Sequence, residues 1–212
     1  MVKHTITQGQ IVEEVYLNQS NLDITFTQQE GSTLRLFVVD IQGGQYANHI
    51  VVEQAATDCT TEIYHLAYLT DNDKATTHTN VRHLVGGGTS NQLIKFILGG
   101  KAKGEFLGEL YIAPDAQKTE AHQTNRNLLL SSTAEVRTRP QLEIYADDVK
   151  ATHGASTGQM DESALFYMQQ RCLDENTARR LLLGAFMKDV IEPISDQNKR
   201  EELLETIDRI IQ

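Results

Sequence analysis

A mainly β chain followed by a small C-terminal α-helical domain is the fold class that the sequence predicts, and two observations predict it. From Met1 to about Thr157, apolar and polar residues alternate in short runs favouring Thr, Val, Ile and Tyr, the period of strands with one buried face. After Gly158 the spacing changes to the three-and-four pattern of amphipathic helices. The expected division is therefore 1–157 for the β unit and 158–212 for the helices.

The strands follow in order. Leu22-Asp-Ile-Thr-Phe26, Thr33-Leu-Arg-Leu-Phe-Val38, His49-Ile-Val-Val-Glu53, Glu62-Ile-Tyr-His-Leu66 and Asn91-Gln-Leu-Ile-Lys-Phe-Ile97 each alternate. Gly108-Glu-Leu-Tyr-Ile112, Ala134-Glu-Val-Arg-Thr138, Gln141-Leu-Glu-Ile-Tyr145 and Val149-Lys-Ala-Thr-His153 continue the series. Gly, Asn and Asp mark the connections, as at Gly43-Gly44, Asp71-Asn-Asp73, Gly86-Gly-Gly88 and Gly99-Gly100. Few of these are two-residue hairpin turns, and no helical stretch separates the strands. Two architectures answer to that description, a coiled β-solenoid and a β-sandwich, and with no exact internal repeat they stay level.

The helices are better punctuated. Asp161 caps a first helix that runs on through Leu165 and Met168, and Asp174 or Asn176 caps a second. Ala178, Leu181, Leu182, Ala185, Phe186 and Val190 form an apolar stripe on the second helix, which Pro193 ends. A third begins near Ser195 and carries Leu203, Leu204, Ile207, Ile210 and Ile211.

Composition excludes several functions. With Lys+Arg 19 against Asp+Glu 29, a net charge of -10 and no basic run, the chain is unsuited to phosphate backbones or anionic membrane surfaces. No stretch is apolar for long enough to span a bilayer and none reads as a signal peptide, so a cytoplasmic protein is expected. Cys59 and Cys172 stand too far apart in sequence to form a thiolate pair like CxxC, so any bound metal must borrow ligands from elsewhere. Gly86-Gly-Gly-Thr-Ser90 lacks the Lys and the following helix of a phosphate loop and is read as a turn between strands. GxSxG, HExxH and dinucleotide signatures are absent. Of seven histidines, four are read as lying in strands, at uncorrelated spacing, and most of the seven are expected to be ordinary packed or surface imidazoles. Asp147-Asp148 is read as a turn-capping pair, since neighbours on a strand face opposite ways.

A set of spaced motifs carries more. Ala116-Gln-Lys-Thr-Glu-Ala-His-Gln123, Asn127-Leu-Leu-Leu-Ser131, Pro140 to Lys150 and Thr152-His-Gly-Ala155 are followed by Gly158-Gln-Met-Asp161, Leu165 to Arg171, Ala178-Arg-Arg-Leu-Leu182 and Ala185-Phe186. In that order they resemble the SufB/SufD family of iron–sulfur cluster assembly components, densely from about Ser90 to Ile194. The resemblance implies a right-handed parallel β-helix with a C-terminal helical domain. It implies a scaffold rather than an enzyme. A SufB-type protein or a second copy would pair along the strands near Glu143 to His153, and a SufC-type ABC ATPase would bind the C-terminal helices. The family's functional imidazole lies in Asp-Asp-Val-x-x-x-His-Gly, which here places it at His153. Neutral imidazole suits iron, so His153 is the expected metal ligand of a transient iron or iron–sulfur cluster shared with a partner, none being held stably by this chain alone.

Two departures stand out. Ala151 occupies the position where the family commonly has Cys, two residues before His153 on the same strand face, and Cys172 follows Arg171 where Gly is usual. Family members also carry a helical domain and further strands ahead of the β-helix, whereas here the strand pattern starts almost at Met1. The chain is thus expected to be the core and C-terminal part of a longer protein, or to have its first coil capped by another subunit. Two other classes compete: a polysaccharide-acting β-helix enzyme, disfavoured by the absence of Trp and by 6% aromatic residues, and a metal-free homodimeric scaffold, which Ala151 favours.

Overall fold

The computed structural model of the chain describes residues 2–211. Twelve strands, β1 (Val2–Ile6), β2 (Ile11–Leu17), β3 (Asn21–Gln28), β4 (Thr33–Asp40), β5 (Gln45–Gln54), β6 (Thr60–Leu69), β7 (Lys74–His83), β8 (Thr89–Leu98), β9 (Lys103–Ile112), β10 (Glu120–Leu129), β11 (Glu135–Ile144) and β12 (Lys150–Gly158), precede three helices. The helices are α1 (Glu162–Gln169), α2 (Glu175–Ile191) and α3 (Gln197–Ile210). Odd strands form one six-stranded sheet in the order β1-β3-β5-β7-β9-β11, and even strands form the other. Every pairing is parallel, so the chain winds from sheet to sheet as a β-helix, which removes the sandwich. The two segments expected around Pro140 are one strand, β11, because at the sheet edge the missing proline N–H costs no ladder bond.

The repeat is real but unequal. Val2 pairs with Ile24, Leu22 with Asn48, Asn48 with Thr77, and Phe106 with Thr138, so successive coils differ in length. At one corner the first five coils each turn on a residue with positive φ: Gly9 (68°), Gly31 (64°), Asp58 (58°), Gly87 (76°) and Lys118 (61°). Backbone bonds tie these corners coil to coil, from Gly31 N to Thr57 O (3.0 Å) and from Gly87 N to Gln117 O (2.9 Å). The corners need a left-handed backbone, which Gly adopts freely and Asp or Lys at some cost.

The two sheets differ in burial. The odd sheet alternates, with Ile24, Phe26, Ile50, Val52, Val81 and Phe106 inward and polar residues outward. In the even sheet, β4, β6 and β8 are buried on both faces: Leu34, Leu36, Ile63 and Ile94 fill the lumen, while Phe37, Val39, Leu66 and Ile97 lie under the helices. That explains the nearly unbroken apolar runs at Leu34–Val39 and Ile94–Leu98.

Asp161, Asp174 and Asp196 cap the three helices, each side chain accepting from backbone N–H groups of the first turn. The stripe expected on α2 is only partly the buried one: Ala178 and Val190 are buried, and Leu182 and Phe186 are partly so. Leu183, Met187, Val190 and Ile191 face the protein, whereas Leu181 is 50% exposed. Apolar residues surround most of α2, so the period alone does not select a face. Docking contacts do: Lys95 on β8, buried to 1% exposure, donates to Asp189 Oδ2 (2.6 Å) and Phe186 O (2.7 Å) and sits over the Phe186 ring. A second clasp holds the turn after α2. Arg35 donates to Pro193 O (2.6 Å), and Glu13 accepts from Ser195 N (3.0 Å).

Candidate functional site

His153 lies on β12, the edge strand of the even sheet, and is exposed. Its parity is that of the lumen: it pairs with Gln123 on β10, which pairs with Gln92 on β8, which pairs with Ile63 on β6. Gln123 and Gln92 are 1% and 2% exposed, so His153 is open only because no further coil covers it. Ala151, two residues earlier, faces the same way and packs with Leu110, Ile112, Ala116 and Ala121. Thr152 faces outward and bonds His122 Nδ1 (2.7 Å). Asp148 lies in the preceding turn, where its carbonyl accepts from Lys118 N (2.6 Å) and its N–H donates to Gln117 Oε1 (2.9 Å).

Neither cysteine lies in β12 or in β10, the strand it pairs with. Cys59 is buried at the β5–β6 corner, its thiol donating to Gln29 O and Ala56 O (3.3 Å each), with burial raising its pKa. Cys172 is exposed just beyond α1. Among the described residues no three His, Cys, Asp or Glu side chains converge as a metal would require. A single accessible imidazole fits one ligand of a site completed by another chain.

All seven histidines lie in strands, which the sequence pattern had shown for only four. Their spacing is set by the coils: His49 pairs with His78, with ring centroids 5.1 Å apart. On that outer face His49 Nδ1 lies 3.1 Å from Asp23 Oδ1 and His78 Nε2 lies 3.3 Å from Glu109 Oε2. Inside the lumen, His65 Nε2 and Asn48 Nδ2 both meet Asp40 Oδ2, at 3.0 and 2.8 Å. His83, fully buried, lies 2.8 Å from Ser90 Oγ, and burial lowers its pKa from 6.5 to about 4. Beside it Gln28, Gln54 and Thr61 form a lumen ladder, with Gln54 Nε2 donating to Thr61 Oγ1 (2.8 Å). These polar residues were invisible as a group because the positions that stack are about one coil apart.

The helices expose a second surface. Phe166 and Tyr167 on α1 are 62% and 58% exposed, and Leu181 on α2 adds to the apolar area left open. No helix among the described residues is long and apolar enough to cross a membrane.

Residues 2–186 match the family model described as "SUF system FeS cluster assembly, SufBD core domain". The chain is 36% identical over 166 residues to the iron–sulfur cluster assembly protein SufD of Escherichia coli, covering 78% of this chain and 39% of that protein. It is 32% identical to an iron–sulfur cluster assembly SufBD family protein of Synechocystis sp., over 87% of this chain and 44% of the relative. Protein ABCI7, chloroplastic, of Arabidopsis thaliana is 32% identical over 95% of this chain and 42% of its own length. The chain therefore spans about two-fifths of the length of these relatives.

Proposed function

The chain belongs to the SufBD core family of the SUF iron–sulfur cluster assembly system, and on that premise we propose that it is a non-enzymatic scaffold in which His153 supplies one ligand to iron or a nascent cluster shared with a partner. The iron or cluster is cargo, passed on rather than kept. Neutral imidazole is a borderline base suited to iron, and thiolates from the partner complete the site. The SufB-type protein, or a second copy of this chain, pairs along β11 and β12; the SufC-type ATPase docks on the C-terminal helices around Phe166, Tyr167 and Leu181.

The observation that carries this reading is the uncovered last coil. β11 and β12 stand at the two sheet edges, and β12 is exposed along almost its whole length with His153 at its centre. An open edge of that size is a template for pairing with another chain unless something blunts or covers it. The reading of a metal-free homodimeric scaffold draws on Ala151, which leaves β12 without a thiolate of its own.

The test is co-purification under anaerobic conditions with SufB- and SufC-type proteins, for the wild type and three variants. His153→Ala is expected to keep both partners and lose iron; unchanged iron content in that variant would leave the metal-free scaffold as the surviving reading. Asp at Phe166 and Tyr167 is expected to release only the ATPase. Pro at Thr152, in the edge strand, is expected to release only the β-helix partner.

A further inference from the structure

Gln123 is 1% exposed, yet neither its Nε2 nor its Oε1 has a hydrogen-bond partner among the described residues. Gln92 Nε2 and Thr138 Oγ1, also unpartnered, belong to the same end of the lumen. Buried amides in native proteins are bonded almost without exception, so one that is free at both ends calls for a reason. The fold makes room for it deliberately. A Cβ on Gly108 of β9, across the lumen, would lie 2.3 Å from Gln123 Nε2 and 2.6 Å from its Cδ.

The register says what Gln123 is beside. It pairs with His153 in β12, and paired residues of parallel strands share a face about 4.8 Å apart, within reach of a glutamine side chain. Amides already bridge neighbouring coils elsewhere in this lumen: Gln54 Nε2 donates to Thr61 Oγ1 at 2.8 Å and to Thr89 O at 2.9 Å. An imidazole that binds metal through one nitrogen presents its other N–H, and the acceptor of that proton fixes the tautomer and the ring plane.

We propose that Gln123 is the positioning residue of His153: its Oε1, unpartnered among the described residues, turns to accept the ring N–H and so directs the opposite nitrogen out of the open coil, towards the metal and the partner. This rests on the reading of His153 as a ligand.

The experiment titrates Fe²⁺ anaerobically into the chain purified with its thiolate-bearing partner, and records the 15N imidazole spectrum of the chain alone. Gln123→Leu should weaken iron binding 10- to 100-fold, as loss of such an outer partner typically does, and should turn one His153 tautomer into a mixture. Its thermal midpoint should change little, because Gln123 Nε2 has no partner among the described residues and leucine replaces the amide with hydrocarbon of similar size. Gln123→Glu keeps an acceptor and should bind iron more tightly than Gln123→Leu. Gln123→Asn, one methylene shorter, gives the same loss in a smaller side chain should the Leu variant fold poorly. If His153→Ala loses iron while Gln123→Leu and Gln123→Asn bind it like the wild type, the role of Gln123 is overturned and that of His153 stands. If His153→Ala itself binds iron normally, both fall.

Discussion

His83 gives the sharpest quantitative handle on the lumen. Its ring is fully buried in β7 and its only hydrogen bond among the described residues is to Ser90 Oγ at 2.8 Å, and burial holds its pKa at about 4 against 6.5. Protonation is thus disfavoured in the folded state, and between these values the unfolded chain binds more protons. Stability contributed by the neutral ring is fully present above pH 6.5 and is lost as pH falls towards 4. At 1.36 kcal/mol per pKa unit the complete effect is about 3 kcal/mol, of which about 2 kcal/mol is lost between pH 7 and pH 5. His83→Gln keeps a donor for Ser90 and cannot titrate. Urea unfolding of both proteins at pH 7 and pH 5, followed by circular dichroism, should show a loss smaller by about 2 kcal/mol in the variant. Equal losses in the two proteins, or a His83 NMR titration midpoint near 6.5, would refute the reasoning.

Two further outcomes follow from packing. Asp189→Ala should destabilise the helical domain more than Lys95→Met, by roughly 2 kcal/mol or more in a thermal melt, because it strands a buried ammonium whereas the methionine leaves only a half-exposed carboxylate; equal costs would show that the pair is not what anchors α2. Gly108→Ala should cost about 1–3 kcal/mol by overpacking against Gln123 and Phe106, and the double variant with Gln123→Ala should recover part of that loss in chemical denaturation.

The strand period and the helix caps were legible because they are local. Asp161 and Asp174 cap where the pattern places them, and alternation marks the odd sheet well because one of its faces is wet. The coil repeat was not legible, since its corners demand a backbone angle rather than a residue: Gly31, Asp58, Gly87 and Lys118 do the same task with three residue types at unequal spacing. The family resemblance, not the period, chose the solenoid over the sandwich. The face of α2 was lost for another reason. Lys95, charged in a run of apolar residues, looks like a solvated break in a strand, and only the fold reveals that Phe186 and Asp189 come down over it. His153 is a candidate by motif, and Gln123 becomes one only by register, thirty residues away.

The two clasps that seat the helices also change how the β-helix holds together. Coils in a solenoid interact only with their neighbours, so an isolated stack melts coil by coil from its ends. Here the helical layer lies across β4, β6 and β8 together and is tied through Glu13 to β2 as well, so those coils cannot open singly without shedding the helices. The early coils are thereby made into one cooperative unit. β11 and β12 contribute no residue to that helical layer and pack through the small cluster around Leu110, Ile112 and Ala121, so the coil that carries His153 is expected to open without shedding the helices.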